Sequence, residues 1–148
     1  MKLNKTIATI FTFVLGAAAV SGQSERSRAL HVTKNCSVYT GTAGGFCTIT
    51  SSSLPAIKVG SKVFYLQANG IVAGLLDSNV VLDAGNGDRA VGHCTLDDTT
   101  GVGLCTFSDG IGAFAGFQAR LDVSPFPAPD MADFHWDGTY SFNLADAH

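Results

Sequence analysis

The sequence predicts an all-β domain of antiparallel strands, on three observations. Apolar residues alternate with polar ones at a period of two in several segments, Gly, Asn and Asp turn signals recur about every eight to twelve residues, and no segment shows helical periodicity. With 14% charged residues and only four prolines in 148 residues, the chain reads as one folded domain without long disorder.

The first 22 residues stand apart. Lys2 and Lys5 precede an apolar run from Ile7 to Val20, and Val20, Ser21 and Gly22 form a small-residue cleavage pattern. Residues 1–22 are therefore read as a signal peptide and 23–148 as a single β-barrel domain with its core at about 30–143. The apolar run is short for a span that needs about 20 residues, so no membrane anchor is expected after cleavage. The expected location is secreted or periplasmic. Without Lys2 and Lys5 the chain carries seven basic and twelve acidic residues, a net charge of −5 that argues against nucleic acid as a partner.

Four cysteines in an exported chain read as two disulfides. Cys36 and Cys47 have ten residues between them, and so do Cys94 and Cys105. CSVYTGTAGGFCTITS and CTLDDTTGVGLCTFSD share a turn-rich middle followed by Cys, Thr, an apolar residue and a hydroxyl. Of the three possible pairings, this repeated hairpin plan favours Cys36 with Cys47 and Cys94 with Cys105. A four-cysteine zinc site is the competing reading, but neither pair has the short gap of a zinc knuckle.

Between the two hairpins, Lys62 to Ala68 reads as a strand, with Val63 and Tyr65 on one face and Phe64 and Leu66 on the other; Asn69 and Gly70 then turn the chain. Ile71 to Leu82 is apolar but interrupted by Gly74 and by Asp77, Ser78 and Asn79, which suggests two short pieces. The turn DAGNGD (83–88) leads into a strand from Arg89 to Leu96.

A turn through Asp97 to Gly101 places Cys94 opposite Cys105, and a short strand then ends at Asp109, Gly110 and Gly112. From Ala113 to Val123 the alternation puts Ala115, Phe117, Ala119, Leu121 and Val123 on one face, as one strand of roughly 36 Å bent at Gly116. SPFPAP (124–129) reads as a loop. The last strand starts at Phe134, with Phe134, Trp136, Tyr140 and Phe142 on one face and His135, Asp137, Thr139, Ser141 and Asn143 on the other. Roughly eight strands of this kind give a small barrel or a sandwich, and consecutive hairpins favour a meander.

GHCTLDDTTGVGLCTFSDGIGAFAGFQARLDVS, followed by WDGTYSF, resembles the bacterial branch of the allene oxide cyclase barrel-like domain, related to plant allene oxide cyclases and dirigent proteins. Gly110 to Gly116 are similar to the family's G-T-G-x-F-x-G turn, with Ile111 where Thr is usual. The resemblance implies an eight-stranded calycin-like barrel, often a homo-oligomer, whose cavity binds or conformationally directs a small hydrophobic molecule without a cofactor. For the cyclases it also implies a cavity glutamate, but the only glutamate here is Glu25, so an aspartate would have to take that role.

The candidate polar groups are His93, Asp109, Arg120, His135 and Asp137. His93 alternates away from Cys94 and reads as a strand histidine or a general base. Asp109 and Asp137 each precede a glycine and read as turn or bulge residues. The alternative for Asp137 is a cavity acid paired with Arg120. Phe107, Phe117, Trp136 and Tyr140 either line a ligand cavity or fill a closed core.

Asp83, Asn86 and Asp88 lack calcium-loop spacing, and no metal site is expected. Asn35, Cys36 and Ser37 form a glycosylation sequon that a disulfide would hinder. Nucleophile-elbow, zinc-protease and phosphate-loop motifs are absent. Three functions stay open: a binding barrel, a packed structural or interaction protein, and a cofactor-free cyclase or isomerase.

Overall fold

The computed structural model describes residues 26–127 and 132–143, so the leader reading of residues 1–22 and Glu25 lie outside the described residues. Eight strands follow in order: β1 Arg28–Asn35, β2 Phe46–Ser52, β3 Lys62–Tyr65, β4 Leu75–Asp83, β5 Arg89–Asp97, β6 Gly103–Ile111, β7 Phe117–Pro125 and β8 Asp133–Phe142. Each pairs antiparallel with the next, and β1 pairs with β8 to close the barrel. This is the eight-stranded meander.

Closure divides each strand into an inner and an outer row. Leu30, Val32, Ile49, Val63, Val80, Leu82, Leu121, Val123 and Trp136 are all inside and nearly inaccessible. Because every connection is a hairpin, the loops β1–β2, β3–β4, β5–β6 and β7–β8 share one end of the barrel. The other three connections share the opposite end.

Both expected disulfides are present, and Cys94 is the direct cross-strand partner of Cys105. Cys36–Cys47 closes the β1–β2 hairpin one step beyond the Asn35–Thr48 pair. Such staples fit an oxidising compartment.

Four local expectations are corrected. Residues 75–83 form one strand, not two pieces, because Asp77 and Asn79 point outward onto His93 while Ser78 turns inward and bonds to Gln67 and the Asn79 carbonyl. The long strand from Ala113 does not form. β6 runs on to Ile111, a 3-10 turn takes Gly112–Phe114, and β7 starts at Phe117.

Gly116 explains that break: its φ is +73° and a Cβ there would lie 2.1 Å from the Asn143 carbonyl oxygen. Ser124 and Pro125 belong to β7 rather than to the following loop. Finally, there is no bulge at Gly138, since both neighbouring ladders run through it in register. The bulges fall instead at Thr33/Lys34 and at Val91/Gly92.

At Gly138 the limit is space. A Cβ would stand 1.9 Å from the Arg120 carbonyl oxygen of β7. Gly138→Ala should therefore destabilise the fold by about 2 kcal/mol or more, through forced separation of β7 and β8, measured by chemical denaturation. Replacing Cys94 and Cys105 together by Ala should cost about 3 kcal/mol, the loop-closure value for a separation of 11 residues, read in the same experiment.

Candidate functional site

The inside row of β1 ends in a charged residue. Leu30 and Val32 are followed two residues later by Lys34, which is only 3% exposed. Register sets it beside Phe134 of β8, and Tyr65 comes to it from β3. The Lys34 ammonium donates to the Tyr65 hydroxyl. Nζ lies 4.5 Å from the ring centre of Trp136, 5.1 Å from that of Tyr65 and 5.7 Å from that of Phe134. The Trp136 and Phe134 rings thus stand within cation–π range of the ammonium, while Tyr65 presents its hydroxyl edge.

No carboxylate of the described residues pairs with Lys34. Burial without a counter-ion lowers its pKa from 10.5 to about 7, because the charged form has lost its water. Tyr65 shifts the other way: burial first, and then the neighbouring Tyr39, raise its pKa, so its hydroxyl keeps its proton.

Lys34 and Tyr65 line a cavity of about 190 Å³ at the end of the barrel that carries the disulfides. Leu76, Leu96, Val123, Phe134 and the four cysteines supply its apolar wall, and Tyr39, Asn69, Asp98 and Gly101 also line it. Asn69 donates through Nδ2 to Asp98 at 2.9 Å. Its Oδ1, and the Tyr39 hydroxyl, have no hydrogen-bond partner among the described residues. Burial, and then Asp98, raise the Tyr39 pKa, so this hydroxyl remains a donor. The volume slightly exceeds the about 150 Å³ of an apolar cavity that takes benzene.

The opposite end is filled. Phe117 packs against Phe114 at 5.3 Å, Phe142 at 5.4 Å, Phe107 at 6.0 Å and Tyr140 at 6.3 Å, and Phe107 meets Trp136 edge-on at 5.6 Å. Phe107, Phe117, Trp136 and Tyr140 therefore belong to one aromatic cluster. The cavity wall is made by other residues, although Val123 and Phe134 come from the same two strands as Phe117 and Trp136.

The polar candidates from the sequence do not converge. His93 lies on the outer face between Asp77 and Asn79. Asp137 is also outside, where its carboxylate meets His31 Nδ1 at 2.7 Å, and Arg120 is exposed and does not pair with it. Asp109 accepts from the Gly110 amide. His135 stacks on Phe126 with ring centres 3.7 Å apart.

Asp83 accepts from the Gly85 amide and Arg89, and Asp88 from the Ala113 amide, so both carboxylates serve local structure. Asn35 of the sequon donates to Asp133 and accepts from Ser37, beside the bonded Cys36.

Comparison with protein-family models, with curated proteins and with solved structures finds no match to this chain.

Lys34 sets a pH dependence. The unfolded chain holds its proton up to about pH 10.5 and the folded chain releases it near 7, so stability rises with pH between these values. Below pH 7 the burial cost is present in full. The raised tyrosines act oppositely above pH 10, which leaves pH 7 to about 9.5 as the clean window. Wild-type stability should rise by a few kcal/mol across it, whereas Lys34→Met should be nearly flat, measured as urea midpoints at each pH.

Proposed function

We propose that this protein is an exported binding barrel for a small molecule with an apolar body of about one ring and one hydrogen-bond-accepting head. The head sits on Lys34 and Tyr65, and the body lies against Leu76, Leu96, Val123 and Phe134. The single observation that carries this reading is a buried lysine that lines a cavity and has no carboxylate partner among the described residues. An acceptor entering there would restore part of the stabilisation that Lys34 lost with its water. The unpartnered Tyr39 hydroxyl and Asn69 Oδ1 offer one further donor and one further acceptor.

Export is supported by the leader pattern of residues 1–22 and by the two disulfides. Membership of the allene oxide cyclase and dirigent-like barrels remains part of the proposal, supported by the motif resemblance and by the eight-stranded closure. Within that reading the barrel acts by holding a ligand. No glutamate stands among the described residues, and Asp98, the aspartate that lines the cavity, lies in the β5–β6 turn.

The aromatic cluster favours a second reading, in which the barrel is a packed structural or interaction module. The two readings differ in one titration. Benzoate at pH 7 should bind the wild type with a saturable heat in calorimetry and shift the emission of Trp136, the chain's single tryptophan. Lys34→Met should weaken binding at least about tenfold, equivalent to about 1.4 kcal/mol. No saturable signal with the wild-type fold intact would favour the packed module.

A further inference from the structure

The Lys34 amine has the surroundings of a nucleophile toward carbonyl carbon as well as those of a cationic anchor. Lys34 lines a cavity, and its Nζ holds one hydroxyl partner and pairs with no carboxylate of the described residues. Lys58 and Lys62 are exposed, and Lys62 lies over Phe46 on the outer face. We propose that Lys34 captures small aldehydes reversibly as an imine within the barrel, with Tyr65 relaying the protons. This rests on reading the cavity as a ligand site.

The lone pair of the neutral amine forms the C–N bond while the carbonyl π pair moves to oxygen. A proton passes from nitrogen through the Tyr65 hydroxyl to that oxygen, giving a neutral carbinolamine. The hydroxyl then leaves as water, taking a second nitrogen proton along the same relay, and the nitrogen lone pair closes the C=N bond. One aldehyde and one amine become one imine and one water, with no oxidant or reductant consumed.

Three features favour the step. Capture requires the unprotonated amine, and a desolvated lysine near pH 7 supplies a large neutral fraction where a solvated one supplies almost none. The Tyr65 hydroxyl retains its proton and already touches Nζ, so the relay needs no movement of charge to solvent. The rings of Trp136 and Phe134, within cation–π range of the ammonium, would also stabilise a protonated imine. The volume selects aldehydes with a body of about one ring.

The test uses the purified chain with benzaldehyde and sodium cyanoborohydride at pH 7, followed by peptide mapping. The benzyl group should appear on Lys34 at least about tenfold faster than on Lys58 or Lys62, as expected for a lysine with a far larger neutral fraction. Benzoate should slow it, and Lys34→Met should abolish it. Should that variant fail to fold, the site distribution in the wild type decides alone. Equal labelling of all three lysines, or none on Lys34, with benzoate still bound would overturn imine capture and leave the binding reading intact. Loss of both labelling and benzoate binding would overturn both.

Discussion

The pairing of β1 with β8 is the constraint on which the rest depends. Eight consecutive residue pairs, from Arg28–Tyr140 to Asn35–Asp133, turn a twisted sheet into a closed wall and remove its two free edges. Only a closed wall has an inside. Once it exists, the alternation of β1 leaves no choice for its inner row: Leu30, Val32 and Lys34 must all enter the barrel. The lysine is buried as a consequence of register. Trp136 and Phe134 of the neighbouring β8 stand where their π faces offset part of the lost hydration, and the Tyr65 hydroxyl from β3 accepts a hydrogen bond.

An eight-stranded barrel is just wide enough to be filled by side chains or to hold one small ligand, and this one does each at a different end. The end with the β6–β7 turn is filled by Phe107, Phe114, Phe117, Tyr140 and Phe142. The end with the β1–β2, β3–β4, β5–β6 and β7–β8 connections contains Lys34, both disulfides and the cavity. Each staple fixes the strands next to a loop at that end. The two ends thus divide the work: one supplies stability, and the other can carry a costly buried amine.

Much of the architecture was legible in the sequence because period-two alternation and turn chemistry act locally. The hairpin at Cys94 and Cys105, the inner faces of β3, β7 and β8, and the repeated cysteine spacing all follow from residues close in the chain. The break between β6 and β7 was not legible in that way, since it depends on Gly116 passing the Asn143 carbonyl, a contact between distant segments. Likewise, β4 looked interrupted because Asp77 and Asn79 suggest a turn until His93 is placed across from them.

The candidate site was the least legible part. Attention to histidines and to aspartates before glycines led to residues with local roles: His93 and Asp137 close outer-face pairs, Asp109 accepts from the Gly110 amide and His135 stacks on Phe126. The site residue lay in the spacing Leu30, Val32, Lys34, where a lysine occupies the third position of an apolar row. That signal was present, but its meaning required knowing that β1 is closed over by β8.

The ionisation of Lys34 tests this account most directly, because a closed barrel, an inward amine and a missing counter-ion all meet in that one group. Its ε-methylene resonance can be followed by carbon-13 NMR as pH is raised from 5 to 11. A midpoint near 7 is the result the structure predicts. A midpoint for Lys34 above 10 would mean that the amine is hydrated or paired, and would contradict the inward site on which the functional reading stands.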